Sequence, residues 1–351
     1  MKETHERLLD AHTPDWEKEI YRFIVEWYNP ADHIMLKTSG STGIPKEITL
    51  RKKYMEHSAR QTLEFFGISQ DHELLLCLPA QYIGGKMMIV RAIVADCNLV
   101  AAEPSANPFE NMEKPVDFAA VTPYQLSHSL KTLSRKRLVN TLIVGGGELH
   151  ADLEKAVQDI SVDVFATYGM TETSSHIALR PVNGTKRQSH FSVIGNTKIE
   201  KDRRGCLVIF NHDLFDGKVI TNDIVAMIDD RSFEWLGRFD NIINTGGIKV
   251  IPEEVELKIR EFVKGNIVVT SVESKYLGQE IVLLYESVMQ GEEGVEDLQE
   301  QINSALPTYQ KPRQIYRVRA IPQTPNGKTD RLAAKKLAKK LAAKTRSDLP
   351  Y

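Results

Sequence analysis

The sequence predicts an α/β protein: a large N-terminal domain with mixed or parallel sheets, helices and a β subdomain, followed by a small α/β C-terminal domain. Three observations carry this. Short apolar runs at 73–78, 98–101, 118–121, 141–144 and 162–166 alternate with segments of helical character at 85–95, 124–133 and 151–160, the pattern of parallel strands joined by crossover helices. From about Asn196 to Trp235 the helical signal drops out. Runs at 206–210, 219–221 and 225–229 are separated there by Gly and Asp turns, which predicts a β subdomain. After Gly237-Arg238-Phe239-Asp240 the α/β alternation restarts, which sets the domains at 1–239 and 240–351 with a hinge near Asp240.

In chain order, residues 6–28 alternate charged and apolar positions around Trp16, Tyr21, Phe23 and Trp27, the pattern of an amphipathic helix that ends before Asn29-Pro30. Residues 33–37 read as a strand and 49–66 as a strand end followed by a helix, so the intervening segment is expected in a strand–loop–helix context. In the second domain Pro252-Glu253-Glu254 opens a helix to about Lys264, with Pro at an early position and carboxylates at the positive end of the helix dipole. Strands at 267–272 and 281–286, a helix near 295–306 and a strand at 314–320 complete that unit. The basic tail from Arg331 to Arg346 reads as a solvated terminal helix, the alternative being a helix that touches a membrane or nucleic acid.

Composition narrows the function classes. The chain has 351 residues, 42% hydrophobic and 26% charged, enough for two or three domains of roughly 150 residues each. Its 45 Lys and Arg against 47 Asp and Glu leave a net charge of −2, so no global field recommends nucleic acid or an anionic membrane as partner. Cys77, Cys97 and Cys206 are widely spaced and read as reduced thiols. The charged start lacks the apolar core of a signal peptide, and the apolar stretch from Gly84 to Ala102 is broken by Lys86, Arg91 and Asp96, so no integral membrane segment and a cytoplasmic location are expected.

The stretch Thr38-Ser39-Gly40-Ser41-Thr42-Gly43-Ile44-Pro45-Lys46 concentrates hydroxyls, glycines and a lysine. Glycines let backbone N–H groups approach an anion, hydroxyls donate to phosphate oxygens, and lysine adds a compact charge. The Walker spacing fails, because Pro45 precedes Lys46 and Glu47 follows it. By composition alone a surface turn stays open as a reading. Other segments follow in order: Gly145-Gly146-Gly147-Glu148 and Thr167-Tyr168-Gly169-Met170-Thr171-Glu172-Thr173, each after an apolar strand, then Thr221-Asn222-Asp223 and Gly237-Arg238-Phe239-Asp240. The set closes with Thr245-Gly246-Gly247-Ile248-Lys249 and Pro322-Gln323-Thr324-Pro325-Asn326-Gly327-Lys328.

In these motifs, from residue 38 to 331, the chain resembles the acyl- and aryl-CoA synthetases of the adenylate-forming superfamily. The compact chain and the run TYGMTETSSHIALRPVNG resemble its o-succinylbenzoate–CoA ligase branch, of menaquinone synthesis, in a short form. The resemblance implies an AMP-forming acid–thiol ligase that uses ATP, Mg²⁺ and CoA: a carboxylate attacks the α-phosphate, and a thiol then displaces AMP. It implies that Thr38, Ser39, Ser41, Thr42 and Lys46, with Gly40 and Gly43, hold the β- and γ-phosphates. Thr171 would reach the α-phosphate, and Glu172 would hold Mg²⁺. Tyr168 would stack on adenine, between Thr167 and the Gly169-Met170 pair, with Gly145, Gly146 and Gly147 allowing close approach; Asp223 and Arg238 would meet the ribose. Lys328 would be the catalytic lysine of a mobile C-terminal domain that rotates about Asp240 and then presents Gly246, Gly247 and Lys249 to the thiol.

Tyr82, His176 and Arg180 are candidates to face the acid. The chain departs from the family pattern in three places: the phosphate loop begins as early as residue 38, Asn222 stands where glycine is usual, and Tyr82 stands where histidine is common. Two rival readings stay open, a stand-alone adenylating enzyme that loads a carrier protein and a non-catalytic nucleotide sensor. A homodimer is a candidate assembly.

Overall fold

The computed structural model describes residues 10–38, 46–263, 265–286, 295–324 and 329–347. They divide into two compact units, one within Met1–Glu200, Val208–Ile220 and Met227–Glu234, the other within Lys201–Leu207, Thr221–Ala226 and Trp235–Tyr351.

The first unit opens with helix α1 (Asp15–Tyr28), which buries Ile20, Phe23 and Trp27 along one face. Of the helix read over 6–28, residues 6–9 lie outside the described residues and 10–14 are not helical; this helix starts at Asp15 because Pro14 sits at the N-cap, where its missing N–H costs nothing, and the carboxylates of Asp15 and Glu17 favour the first turn. Strands β1 (His33–Thr38) and β2 (Lys46–Arg51) follow, and then helix α2 (Lys52–Phe66). β1 and β2 are antiparallel, from His33 opposite Arg51 to Thr38 opposite Lys46. The strand end and helix read over 49–66 are both present, the strand beginning at Lys46 rather than Thr49; residues 39–45 of the hydroxyl-rich stretch lie outside the described residues. Gly67, left-handed at φ +66°, ends α2.

The parallel strands come next: β3 (Glu73–Leu76), helix α3 (Ile83–Ala95), β4 (Asn98–Ala101), β5 (Val116–Val121), helix α4 (Pro123–Leu133), β6 (Val139–Val144), helix α5 (Ala151–Ala156) and β7 (Asp163–Gly169). Helix α4 begins with a reciprocal capping box between Thr122 and Gln125. β3 pairs in parallel with β4 and β5, β5 with β6, and β6 with β7. The order turns antiparallel at β8 (His176–Pro181), which pairs with β7 and with β9 (Phe191–Val193). Fully buried side chains lie on both faces of these strands, as a sheet covered by helices requires: Leu74 and Leu76 on one, Leu75 and Val121 on the other. β10 (Lys198–Lys201), β11 (Cys206–Phe210), β12 (Lys218–Met227) and β13 (Ser232–Arg238) are the expected strand-rich segment. β12 is one continuous strand through Thr221-Asn222-Asp223, where the sequence suggested two.

In the second unit, β14 (Ile243–Thr245) and β15 (Ile248–Val250) form a hairpin whose Gly246-Gly247 turn has φ of +57° and +83°. Positive φ at both central residues is the primed-turn geometry that glycine adopts without strain. Helix α6 (Pro252–Ile259) follows; the helical pattern read to Lys264 tightens into a 3-10 turn at Arg260–Phe262. β16 (Ile267–Ser274) and β17 (Gly278–Glu286) are antiparallel, helix α7 (Val295–Ala305) follows, and β18 (Gln314–Val318) runs parallel to β17. Val269, Ile281 and Leu283 pack with Val255 and Ile259 of α6, while Val268, Val282 and Leu284 face the other way. Helix α8 (Arg331–Ser347) covers that second face with Ala334, Ala338 and Ala342 buried. The tail is thus not a solvated helix: its alanines at four-residue spacing lie on the sheet, and its lysines occupy the remaining faces. Among the described residues no helix is long and apolar enough to cross a membrane.

Helix α8 is fastened at its start. Arg331 forks onto Glu256 of α6, Nη1 donating to Oε1 at 2.9 Å and Nη2 to Oε2 at 2.6 Å, while its Nε lies 3.4 Å from Glu253 Oε1. Burial outweighs this pairing and pushes the Glu256 carboxyl up to about 7, and the neighbouring Glu253 charge pushes it the same way. The folded chain then holds a proton that the unfolded chain releases near 4.5, so this group's contribution to stability is complete below that value and is lost as pH rises through about 7. The unfolding midpoint of this unit is expected to fall between about pH 5 and pH 8, and Glu256→Gln to flatten that fall in thermal scans across the range.

Candidate active site

In the first unit, Gly145-Gly146-Gly147 continues from β6 and Thr167 lies on the neighbouring β7. Gly145 N donates to Val121 O at 3.0 Å, and Thr167 Oγ1 donates to Val144 O at 3.1 Å. A side chain at Gly145 would collide with the Thr167 hydroxyl, so glycine is what lets this strand end pack beside Thr167. Gly146 and Gly147 are exposed beyond it, a stretch of open backbone. Tyr168 is half-buried in an aromatic group: its ring meets Phe233 edge-on at 5.0 Å and Phe191 at 5.9 Å, and those two rings stack at 5.7 Å. A rigid aromatic wall results, with the Tyr168 ring held in place by its two neighbours.

The chain turns sharply after Tyr168. The β7–β8 register shifts between Tyr168 and Gly169, and Gly169 is so close to the next strand that a Cβ would lie 2.5 Å from His176 Cα. Met170 N donates to Thr173 Oγ1 at 3.0 Å, and that hydroxyl donates to Ser175 O at 2.7 Å. Ser174 is left-handed at φ +63°, with its Oγ donating to Leu214 O at 3.2 Å. Backbone strain is spent on this one-turn helix, Thr171–Thr173, which leaves Thr171 half-buried and Glu172 exposed.

Behind the turn lies a polar cluster of which sequence reasoning had named only His176 as a site candidate. Arg91, on α3, is 1% exposed; its Nη2 donates to Ser175 Oγ at 3.0 Å, and its Nε has no hydrogen-bond partner. Among the described residues no carboxylate is paired with it, and burial pulls the guanidinium down to about 9. His176, 5% exposed, lies 3.2 Å from Thr62 Oγ1, and burial together with the Arg91 charge holds its pKa well below the ordinary histidine range, so the ring is neutral at pH 7. Ser58 Oγ and Gln61 Oε1, on α2, are buried without hydrogen-bond partners. The signal available in the sequence was a cation inside the apolar helix 83–95, a position a core does not normally grant. Of the other acid-facing candidates, Tyr82 is exposed at the N-cap of α3, and Arg180 is ion-paired with Glu154 and lies 5.5 Å over the Phe191 ring.

In the second unit, Asp223 on β12 is buried to 5% and accepts from Trp235 Nε1 at 3.2 Å and from Arg238 Nη1 at 3.4 Å. Arg238 Nη2 reaches Asp240 Oδ2 at 3.0 Å, and Asn222 Nδ2 donates to both Asp240 oxygens at 3.2 and 3.1 Å. Asn222 thus has a job that glycine lacks: it anchors Asp240, the expected hinge, to β12. Gly246, Gly247 and Lys249 are exposed on the β14–β15 hairpin, with the Lys249 ammonium 5.9 Å from the Phe239 ring. Ser39, Gly40, Ser41, Thr42, Gly43 and Lys328 lie outside the described residues; of Thr38 and Lys46 only the backbone pairing is described.

Comparison with known proteins places these features in a wider set. The model of the AMP-binding enzyme family matches residues 10–200. Curated relatives include the 2-succinylbenzoate–CoA ligases of Enterococcus faecalis, 24% identical over 84% of this chain and 67% of that one, and of Escherichia coli, 26% identical over 79% and 63%. The match therefore spans about two thirds of the length of these relatives. Among solved structures, an acyl-CoA synthetase (AMP-forming)/AMP-acid ligase II-like protein from Dyadobacter fermentans is 32% identical with a TM-score of 0.62, over 93% of this chain and 96% of that one. The fold is also that of the O-succinylbenzoate coenzyme A synthetase of Bacillus subtilis in complex with ATP and magnesium ion, TM-score 0.70 at 20% identity, over 86% and 69%.

Proposed function

The chain belongs to the AMP-binding enzyme family, and from that premise we propose that it is an ATP-dependent acid–thiol ligase that activates an aromatic acid with a second carboxylate, of the o-succinylbenzoate type, and transfers it to CoA. In the first unit the open glycines 145–147 and the aromatic wall at Tyr168 support nucleotide binding, as backbone for close approach and a ring for stacking; in the second, the buried carboxylate of Asp223 suits a partner for ribose hydroxyls. Glu172, an exposed carboxylate on a short strained turn, fits a hard cation that keeps phosphate and water oxygens as its other ligands. Mg²⁺ held there would offset phosphate charge that repels an incoming carboxylate. Thr38–Lys46 and Lys328 are proposed to hold the phosphates and the reacting centre, with Asp240 as the hinge between the two half-reactions.

The observation that carries the choice of acid is Arg91. A buried guanidinium without a facing carboxylate costs several kcal/mol in effective desolvation, and a core would lose nothing by an aliphatic residue there. Such a cation is explained by a ligand anion, and the neutral His176 beside it does not compete for that anion. With 2-succinylbenzoate as the acid, Arg91→Leu is expected to lower kcat/KM for pyrophosphate release by about 10²-fold, with an unfolding midpoint equal to or above that of the parent. A parent protein that turns over benzoate as well as 2-succinylbenzoate overturns the assignment. A panel of acids with no exchange of labelled pyrophosphate into ATP overturns adenylation altogether. Thioester assays with CoA and with a carrier protein separate the two acceptors.

A further inference from the structure

We propose, on the ligase reading above, that His176 is a positioning residue: with Ser175 and Thr62 it braces Arg91 for the second carboxylate of the acid without neutralising it. The contacts run in series. Arg91 Nη2 donates to Ser175 Oγ at 3.0 Å, and that hydroxyl lies 3.5 Å from His176 Nδ1. On the far side of the ring, His176 Nε2 lies 3.2 Å from Thr62 Oγ1, which donates to Ser58 O at 3.1 Å.

The direction of these bonds follows from the hydrogens available. A threonine hydroxyl has a single hydrogen, and in helix α2 that of Thr62 goes to the carbonyl one turn back, the back-bond common to helical threonines. Toward His176 the Thr62 oxygen can then only accept, so Nε2 carries the ring proton. Burial and the Arg91 charge keep the ring neutral, and Nδ1 is therefore a bare acceptor. Ser175 Oγ accepts from Arg91 and turns its own hydrogen toward Nδ1. The chain thus runs one way, from Arg91 through Ser175, His176 and Thr62 to a backbone carbonyl of α2. With both ring nitrogens engaged by protein groups, His176 stands behind Arg91 and has none left for the acid.

No member of this chain brings a negative charge. A carboxylate beside Arg91 would hold the guanidinium more firmly, but it would also satisfy the charge that a ligand anion is to meet. Hydroxyls and a neutral imidazole fix direction and leave that charge open. The other nitrogens of Arg91 agree: Nη1 donates to the weak acceptor Met88 Sδ at 3.5 Å, and Nε has no hydrogen-bond partner. Stability alone does not call for the arrangement, because apolar side chains of similar volume would fill the buried positions of Thr62 and His176 with no polar group to satisfy.

The test begins with the tautomer of His176, read at pH 7 from the chemical shifts of its ring nitrogens, with the His176→Gln protein identifying the signals. A single neutral form with the proton on Nε2 is expected. A proton on Nδ1, or a charged ring, overturns the brace whatever the activity of the protein. KM and kcat are then measured for 2-succinylbenzoate and for ATP in acid-dependent pyrophosphate release. Ser175→Ala, the removal of one hydroxyl, is expected to raise KM for the acid about tenfold, with kcat and KM for ATP within about twofold. His176→Leu is expected to do the same, and His176→Gln, which keeps a donor and an acceptor, to recover most of the loss. In the Arg91→Leu protein, Ser175→Ala is expected to add less than about twofold, because no guanidinium is left to brace. An unchanged KM for the acid in Ser175→Ala, or the full rise repeated in the Arg91→Leu background, overturns the inference. A parent protein without acid-dependent pyrophosphate release overturns the ligase reading and the role of the brace with it, a failure distinct from an active parent with indifferent variants.

Discussion

Lys328→Ala is expected to lower acid-dependent pyrophosphate release by about 10²- to 10³-fold. Negative charge accumulates on the α-phosphate and the acyl carboxylate as they meet, and a positioned ammonium stabilises that state more than the separated reactants. Loss of such a group lowers kcat and kcat/KM together, whereas loss of a binding contact alone would raise KM for ATP. The same variant is expected to convert synthetic acyl-adenylate and CoA to thioester at a rate close to that of the parent, because the phosphate chemistry is then complete. Far-UV circular dichroism should be unchanged, since a lysine between Gly327 and Thr329 in a polar turn sequence contributes little to a core. Parental rates of pyrophosphate release in the variant would remove Lys328 from the reaction.

Gly169→Ala is expected to cost about 3 kcal/mol in urea unfolding and to abolish measurable ATP binding by calorimetry. The added methyl would lie 2.5 Å from His176 Cα and 2.8 Å from the Ser175 carbonyl carbon, both backbone atoms that cannot rotate away. Relief requires opening the bulge between Tyr168 and Gly169, which moves the aromatic wall on one side and the Thr171–Glu172 turn on the other. Gly184→Ala is the matching control. Gly184 is left-handed at φ +72° with nothing within 4 Å of an added Cβ, so only the backbone preference is lost, about 1 kcal/mol, and nucleotide binding should persist. Equal costs at the two glycines would show that close packing at Gly169 is not what the site depends on.

The alternation of apolar runs was enough to locate the parallel strands and their crossover helices, because burial on both faces leaves a continuous apolar signature such as ELLL in β3 or VDFAAV in β5. It was not enough for elements whose partners are remote. That 46–51 forms a full strand and not only a strand end depends on β2 pairing with β1, and periodicity over six residues does not report a partner. The lysine-rich tail misled for a related reason: small alanines at positions 334, 338 and 342 carry little hydrophobic weight in a sequence, yet they allow α8 to approach the sheet closely.

The site divides the same way. By itself the sequence determined the family and the order of the motifs, because hydroxyls, glycines, carboxylates and a lysine at fixed spacing are chemical requirements written locally in the chain. Only the tertiary structure decided which charges are buried and with whom. Arg91 looked like an interruption in an apolar stretch until α2, α3 and the turn at Ser175 closed around it, and Arg331 looked like one more cation of a basic tail until Glu253 and Glu256 stood opposite. The physical reason is that the cost of a charge depends on the dielectric and the partners that surround it, and those are supplied by residues 84 and 75 positions away.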